Sequence, residues 1–167
     1  DEIRVFILGE NLLPDSVKKL EETGKRYNRQ IVFVDTKLLI QKMQAAQMPS
    51  YRGSYAANMR LFLSDLLEDS VERLLYLDAD TIVAGKLDAL VSMSMNGYPA
   101  AMVQDSLVRL HKLRIGFSKE EFYFNSGVIL FDMGRWRAKR CSERIAEHVR
   151  AVRAHYPSPD QDLLNVV

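Results

Sequence analysis

Short apolar runs alternate with stretches of helical apolar periodicity along most of the chain. Residues 31–34 and 74–77 are continuous apolar runs of strand length, whereas residues 55–67 place apolar side chains three or four positions apart. Such alternation is typical of strands and helices that build a mostly parallel sheet covered by helices. We therefore expect an α/β fold with a mostly parallel central sheet flanked by helices.

Turn and capping residues place the boundaries of these elements. Pro14 suits the first turn of a helix and Gly24 its end, and Thr36 can cap the next helix. From Tyr55 the periodicity predicts one amphipathic helix. The other predictions are strands at 3–8, 31–34, 74–77, 98–103 and 122–131, the last interrupted at 125–127, loops at 44–54 and 107–119, a short helix at 86–93 and a long basic helix over 133–155.

Composition favours one globular domain without a strong electrostatic preference. The 167 residues are 47% hydrophobic, and 23 Lys and Arg residues against 22 Asp and Glu residues leave a formal net charge of +1. No field that would recruit nucleic acid is expected. The single cysteine, Cys141, excludes an internal disulfide and favours the cytoplasm, and no apolar run reaches the roughly 18–20 residues that cross a bilayer. We predict one soluble domain over residues 1–167.

Two acidic residues follow the apolar run at 74–77. Asp78 and Asp80 stand two positions apart, so on extended backbone their side chains point to the same side. Ligands of open α/β sheets bind beyond the carboxyl ends of the strands, and carboxylate oxygens suit hard divalent cations. The pair is therefore a candidate metal site, and two solvated acids at a strand end are the alternative.

Further motifs accompany this pair in a fixed order. They are Met59-Arg60-Leu61, Leu77-Asp78-Ala79-Asp80, Phe124-Asn125-Ser126-Gly127 and Pro159-Asp160-Gln161-Asp162. Together these segments resemble glycosyltransferase family 8, the retaining enzymes of GT-A type that include bacterial galactosyl- and glucosyltransferases of cell-surface polysaccharide biosynthesis and the glycogenins. The resemblance implies a GT-A type nucleotide-sugar-binding sandwich and a hexosyltransferase that uses a UDP-sugar.

The resemblance assigns the donor site to two segments. Asp78 and Asp80 would hold Mn²⁺ or Mg²⁺ on the diphosphate of the UDP-sugar, and the metal would act as a Lewis acid on the leaving UDP. Arg60 and Ala79 would complete the donor contacts, Arg60 because a guanidinium stays charged and binds oxygens in a fork. A surface arginine on an amphipathic helix is the alternative for Arg60.

The resemblance assigns catalysis to the segment near residue 161. Gln161 would lie on the sugar face opposite the leaving group, with Asp160 and Asp162 beside it. Because an amide is a weak nucleophile, we favour same-face attack with Gln161 as electrostatic support over double displacement.

Three further residues are assigned to the sugar and the acceptor. Asn125 and Ser126 would contact the sugar, and Asp105 would face the acceptor hydroxyl. A turn-supporting asparagine and a strand-end acid are the respective alternatives.

The acceptor implied by the resemblance is a saccharide or a lipid-linked saccharide. We expect a cytoplasmic protein that contacts the inner face of the membrane peripherally. The basic segment at 133–155 favours a solvated face over an acidic partner. Trp136 is interpreted as a core anchor and Cys141 as a small buried side chain, while the histidines show no ligand spacing with the acidic pair.

Two elements of the family pattern are missing from the sequence. A front segment that wraps uracil and ribose does not precede residue 1, and no later segment supplies the histidine that is the family's third protein ligand to the metal. We therefore expect a catalytic domain truncated at both ends, with weak metal and UDP-sugar binding and little activity of its own.

Two rival interpretations remain open on the sequence alone. A haloacid-dehalogenase-like phosphatase would use Asp78 as nucleophile and Asp80 as general acid, although Ile82 departs from the Thr or Val of that motif. A degenerate, non-enzymatic transferase domain that serves as a binding module is the second alternative. Intact Asp78, Asp80 and Gln161 argue against decay.

Overall fold

The computed structural model describes residues 3–106, 108–152 and 155–167. The chain divides into two compact units, one up to Met59 and one from Arg60 onward, and each carries its own sheet. Two compact units can belong to one domain, so the single domain over 1–167 stays a prediction.

The first unit is built on two parallel strands joined by a helix. These elements are β1 (Arg4–Ile7), α1 (Pro14–Arg26) and β2 (Gln30–Phe33), and α2 (Lys37–Ala45) follows them. A parallel pair needs a crossover connection, which α1 provides. The strand and helix order predicted for this part of the chain is therefore confirmed.

Two boundary residues of the first unit act differently from the prediction. α1 runs past Gly24 to Arg26, and a Cβ on the buried Gly24 would lie 2.6 Å from Cγ1 of Ile31. The glycine thus allows close packing of α1 on β2 rather than ending the helix. Thr36 makes no side-chain cap, because its Oγ1 donates to the Gly9 carbonyl at 3.0 Å.

The second unit contains a three-stranded sheet in the order β3-β5-β4. Its strands are β3 (Arg73–Leu77), β4 (Ala100–Gln104) and β5 (Phe124–Asp132). β5 lies in the centre and is antiparallel to both neighbours. β3 and β4 consequently run in the same direction on either side of it.

The expected mostly parallel sheet is found in β1 and β2 but not in the ladders around β5. The chain leaves β4 after Gln104 and enters β5 at Phe124, which is the residue paired with Gln104. Among the residues described between them, the one helix or strand is α5 (Arg109–Arg114), so the chain returns from the same end of the sheet and pairs antiparallel. The predicted interruption at 125–127 is also wrong, since β5 continues through it with a register shift opposite Met102 and Val103.

Several helices are shorter than the periodicity predicts. The amphipathic segment from Tyr55 forms a 3-10 helix (Ala57–Phe62) followed by one turn, α3 (Leu63–Leu66). α4 covers only Asp88–Val91. The long basic helix is broken into α6 (Met133–Ala138) and α7 (Cys141–Ala151), because Arg140 adopts φ +53° between them.

The core of the second unit lies between its sheet and these helices. Phe131 and Trp136 meet edge to face with ring centroids 5.0 Å apart, and the Trp136 indole donates to the Ser142 hydroxyl at 3.0 Å. Trp136 and Cys141 are buried, as predicted, and burial raises the pKa of the Cys141 thiol. Within the described ranges, no helix combines the length and apolar character that crossing a bilayer demands.

Candidate active site

β3 delivers Asp78 to the mouth of the second sheet. The Asp78 amide donates to the Gly127 carbonyl at 2.8 Å, which extends the pairing with β5 by one residue. The chain then turns, because the Asp78 carbonyl accepts from the Thr81 amide at 3.0 Å. Ala79 and Asp80 occupy this turn and are exposed. The extended backbone expected for the Asp-Ala-Asp segment is therefore wrong, and a turn carries the second carboxylate.

Arg60 links the mouth of β3 to the start of α8 (Pro159–Val166). It is 5% exposed, and its Nη2 lies 2.8 Å from Oδ1 of Asp78 while its Nε lies 3.3 Å from Oδ2 of Asp160. Its Nη1 donates to the Ser126 carbonyl at 2.5 Å. The interpretation of Arg60 as a surface arginine is therefore wrong, since the guanidinium is buried among two carboxylates and a carbonyl.

The ring of Tyr76 packs against the guanidinium of Arg60. The Arg60 guanidinium carbon lies 4.4 Å from the centre of the Tyr76 ring, a cation–π distance. The Tyr76 hydroxyl donates to Oδ1 of Asp78 at 2.9 Å. Tyr76 was not among the predicted site residues, although its position two before Asp78 on a strand places both side chains on the same face of the sheet.

Asn125, Ser126 and Gly127 form the adjoining edge of the site on β5. The exposed Asn125 turns its Oδ1 back to accept from the Gly127 amide at 2.8 Å. A Cβ on Gly127 would lie 3.0 Å from both Oδ2 of Asp78 and Oδ1 of Asn125. The glycine therefore keeps open the space next to the free oxygen of Asp78.

The first turn of α8 presents Asp160 and Gln161 to Ser126. The Ser126 hydroxyl donates to Oδ2 of Asp160 at 2.9 Å, and the Ser126 amide donates to Oε1 of Gln161 at 3.0 Å. Pro159 suits the first turn of this helix because its missing N–H needs no partner there. The structure thus brings five residues into one hydrogen-bonded cluster, which we call the Arg60 cluster: Arg60, Asp78, Ser126, Asp160 and Gln161.

Asp162 belongs to a different group of contacts. Its carboxylate is fully buried, and its Oδ1 lies 2.6 Å from Nε2 of His111 and 2.6 Å from the Tyr123 hydroxyl. Its Oδ2 accepts from the Ser158 amide at 2.9 Å. We call Asp162, His111, Tyr123 and Ser158 the buried hub.

The remaining predicted residue, Asp105, lies just after β4. Its backbone amide donates to the Tyr123 carbonyl at 2.8 Å. Sequence reasoning missed Tyr123 and His111 as members of the site region. Tyr123 adjoins the Phe-Asn-Ser-Gly segment, but His111 carries no sequence signal because only the fold brings α5 to α8.

Burial keeps both tyrosines of this region protonated. Desolvation raises the pKa of Tyr76 far above its usual value, with the neighbouring Asp78 adding to the shift and Arg60 opposing it. Desolvation is also the largest cause of the raised pKa of Tyr123, followed by its hydrogen bond to Asp162, while a hydrogen bond with Gln161 lowers it. Both phenols therefore act as hydrogen-bond donors and not as bases near neutral pH.

Asp78 and Asp80 are the two carboxylates predicted to hold a divalent cation. Among the residues described, no cluster of three or more His, Cys, Asp or Glu side chains is placed to hold a metal ion. One oxygen of Asp78 is engaged by Arg60 and Tyr76, but Oδ2 faces the space above Gly127, and Asp80 is exposed. Two carboxylates fit a Mg²⁺-like ion that takes its other ligands from phosphate oxygens and water.

The fold of this chain is similar to that of solved glycosyltransferase structures. The chain matches a crystal structure of the galactosyltransferase LgtC in complex with donor and acceptor sugar analogs, with a TM-score of 0.75 and 25% identity, over 99% of this chain and 59% of that one. The chain has the GT-A type α/β fold of these proteins, which confirms the predicted fold class.

Sequence comparison then identifies the family. The family model of glycosyl transferase family 8 matches residues 2–167, and the chain belongs to that family. It is 26% identical over 166 residues to general stress protein A of Bacillus subtilis and 36% identical over 117 residues to a lipopolysaccharide 1,2-glucosyltransferase of Escherichia coli K12. The matches cover 98% and 68% of this chain.

The chain spans only part of these relatives. It covers 54% of the Bacillus protein and 35% of the Escherichia protein. The resemblance to family 8 predicted from four short motifs is nevertheless confirmed over nearly the whole chain. Membership in this family favours a glycosyltransferase over the haloacid-dehalogenase-like alternative.

Proposed function

We propose that this chain carries the donor-binding centre of a retaining, metal-dependent hexosyltransferase. The enzyme transfers galactose or glucose from a UDP-sugar to a saccharide or lipid-linked saccharide acceptor. The similarity to a galactosyltransferase structure solved with donor and acceptor sugar analogs and to a lipopolysaccharide glucosyltransferase supports this choice of substrates. The observation that carries the proposal is the Arg60 cluster at the mouth of β3.

The charges of this region suit a nucleotide diphosphate that arrives with a cation. Asp78 and Asp160 pair with the guanidinium of Arg60, and Asp80 lies exposed two residues beyond Asp78. Asp78 and Asp80 would hold a divalent ion, and the Arg60 guanidinium would bind phosphate oxygens of the nucleotide. When bound to Asp78 and Asp80, Mn²⁺ or Mg²⁺ supplies Lewis-acid stabilisation of the charge on the departing UDP.

Arg60 and Ser126 set the geometry of the sugar side. Arg60 is fixed on three sides by Asp78, Asp160 and the Ser126 carbonyl, so its direction is set before a ligand arrives. Groups that are oriented in advance cost no reorganisation in the transition state. Asn125, exposed at the same edge, offers its amide nitrogen to the sugar because its oxygen is held by Gly127.

Gln161 serves as a fixed dipole near the reacting carbon in this proposal. Its carbonyl oxygen accepts from the Ser126 amide at 3.0 Å and lies 3.4 Å from the Ser126 hydroxyl. A neutral amide held in this way can neither take up a proton nor readily attack carbon. This restraint supports same-face attack by the acceptor, with Gln161 as electrostatic support and Asp105 toward the acceptor side.

The acceptor and the location of the protein belong to the same proposal. Arg144 and Arg150 are exposed on α7, whereas Arg137 is engaged by the carbonyls of Glu68, Asp69 and Val71. Some arginines of the basic segment therefore hold the fold together, and others are exposed to solvent. These exposed arginines would serve peripheral contact with an anionic membrane on the cytoplasmic side, where a lipid-linked acceptor would be met, and Glu143 and Glu147 are exposed on the same helix.

A donor screen on the full-length protein tests the proposal. UDP-glucose, UDP-galactose and their N-acetyl forms are incubated with Mn²⁺ and a saccharide acceptor, and UDP release and product anomeric configuration are measured by chromatography and NMR. We expect one hexose donor to give a product of retained configuration, and EDTA to abolish turnover. Inversion of configuration or full activity in EDTA would contradict the proposal.

Calorimetry with UDP and Mn²⁺ separates the alternatives. UDP binding without turnover on any donor would favour the non-enzymatic binding module. Micromolar binding by residues 1–167 alone would overturn the expectation that this stretch binds the donor weakly.

A further inference from the structure

The buried hub places a carboxylate where no substrate can reach it. Asp162 is 0% exposed, yet it lies on the same helical turn as Asp160 and Gln161. A buried carboxylate needs several hydrogen-bond donors to offset the loss of water. Asp162 has three, from the side chains of His111 and Tyr123 and from the amide of Ser158.

The donors of the hub come from three separate segments of the chain. His111 belongs to α5, Tyr123 immediately precedes β5, and Ser158 is the residue immediately before α8. The Asp162 amide returns a hydrogen bond to the Ser158 carbonyl at 2.7 Å. Asp162 therefore closes the first turn of α8 on itself and ties that turn to α5 and to the entry of β5.

The same turn of α8 also carries the two side chains that belong to the Arg60 cluster. Successive residues of an α-helix point about 100° apart, so a residue facing the hub leaves its two predecessors free to face elsewhere. Asp160 and Gln161 both contact Ser126, and Asp160 also pairs with Arg60. Tyr123 links the two groups along the chain, because its hydroxyl donates to Asp162 and it stands three residues before Ser126.

We propose that Asp162 is a positioning residue that acts through Tyr123, His111 and the Ser158 amide to hold Gln161 and Asp160 against Ser126. It does not touch the substrate. This inference rests on the proposed function for its kinetic consequence, but its structural content stands without any substrate. In this proposal Asp162 acts indirectly, whereas the resemblance to family 8 implies a place beside the reacting group.

Asp162→Asn breaks the hub at a defined point. Asparagine has one acceptor oxygen, so it can serve either the Ser158 amide or the pair His111 and Tyr123, but not both. Whichever side loses its acceptor leaves a buried donor unpaired. Tyr123→Phe is the milder variant, since it removes one hydroxyl and keeps the ring.

Amide hydrogen exchange on the full-length protein tests the positioning role without a substrate. The Ser126 amide reports on Gln161, because Gln161 is its acceptor. The Ile129 amide, in the middle of β5, reports on the sheet. In Asp162→Asn we expect protection at Ser126 to fall about tenfold or more, with a smaller fall in Tyr123→Phe and little change at Ile129.

Trp136→Phe is the matched control for loss of a buried hydrogen bond elsewhere. It removes the indole donor to Ser142. Relative to wild type, we expect it to change the protection of the Ser126 amide no more than that of the Ile129 amide. Equal losses at Ser126 and Ile129 in Asp162→Asn, or no loss at either, would overturn the proposal. A merely structural carboxylate would produce the first of these results.

Steady-state kinetics provide the second readout. We expect kcat of Asp162→Asn to fall about 100-fold, the size of effect that a small misplacement of a reacting group produces, with a smaller rise in donor KM. If the wild type transfers sugar, a kcat of Asp162→Asn within about threefold of the wild-type kcat would overturn the inference. An inactive wild type would overturn the proposed function instead, and the exchange result would still decide the positioning role.

Discussion

The chain contains two Asp-x-Asp segments of identical spacing, and the fold uses them in opposite ways. Asp78-Ala79-Asp80 lies on a turn at the end of β3, with the Asp78 side chain 34% exposed and Asp80 exposed. Asp160-Gln161-Asp162 lies on the first turn of α8 with both carboxylates buried. Identical spacing therefore does not decide what the carboxylates do, because the hydrogen-bond donors around them differ.

Charge compensation differs between the two segments. Asp160 faces the guanidinium of Arg60, and Asp162 is satisfied by neutral groups and by His111. Asp78 shares Arg60, but Asp80 has no hydrogen bond or ion pair of its side chain among the described residues. Uncompensated negative charge is thus concentrated at Asp80, where a cation gains most.

The largest expected effect is loss of activity when the exposed segment is neutralised. Asp80→Asn should lower kcat/KM by at least about 100-fold, the upper end of the cost for residues that only support metal ligands. The measurement is UDP release over a range of Mn²⁺ concentrations. Asp88→Asn, which removes another exposed carboxylate at the start of α4, is the matched control and should retain wild-type activity.

Stability should respond in the reverse order. Asp162→Asn should lower the free energy of unfolding by about 1–3 kcal/mol, because it leaves a buried donor unpaired. Asp80→Asn should change it by less than about 0.5 kcal/mol, as is usual for exposed side chains. Urea denaturation at neutral pH compares the two, and a larger loss for Asp80→Asn would refute the division into an open and a buried segment.

The smallest expected effect tests the space beside Asp78. Gly127→Ala brings a Cβ to 3.0 Å from Oδ2 of Asp78 and Oδ1 of Asn125. Both side chains must yield by a few tenths of an ångström, and we expect UDP and Mn²⁺ to bind about tenfold more weakly in calorimetry. Gly134→Ala, whose Cβ would meet Oδ1 of Asp132 at a relaxed 3.6 Å, is the control and should bind as wild type.

Sequence patterns predicted the order of strands and helices better than their lengths. β3 forms where its apolar run predicts a strand, although its residues are half-buried or exposed rather than fully buried. The helices after Tyr55 and Met133 failed as single elements because apolar periodicity does not report backbone breaks. Arg140 at φ +53° is one such break, and non-glycine residues rarely adopt this conformation.

The candidate site divides along the same line. Short local motifs predict four of these residues separately, and the structure brings them together around Arg60: Asp78, Ser126, Asp160 and Gln161. His111 escaped notice because it reaches Asp162 across 51 positions of sequence. Hydrogen-bond partners at that separation leave no local pattern to read.

The family, the α/β class and the acidic corner at the mouth of β3 follow from residue order alone, because strand-length apolar runs and adjacent motifs are local properties of the chain. The difference between Asp80 and Asp162 does not. It depends on which donors converge on each carboxylate, and that convergence exists only after β5, α5 and α8 have packed together. Burial and hydrogen bonding therefore assign the two acids to different roles.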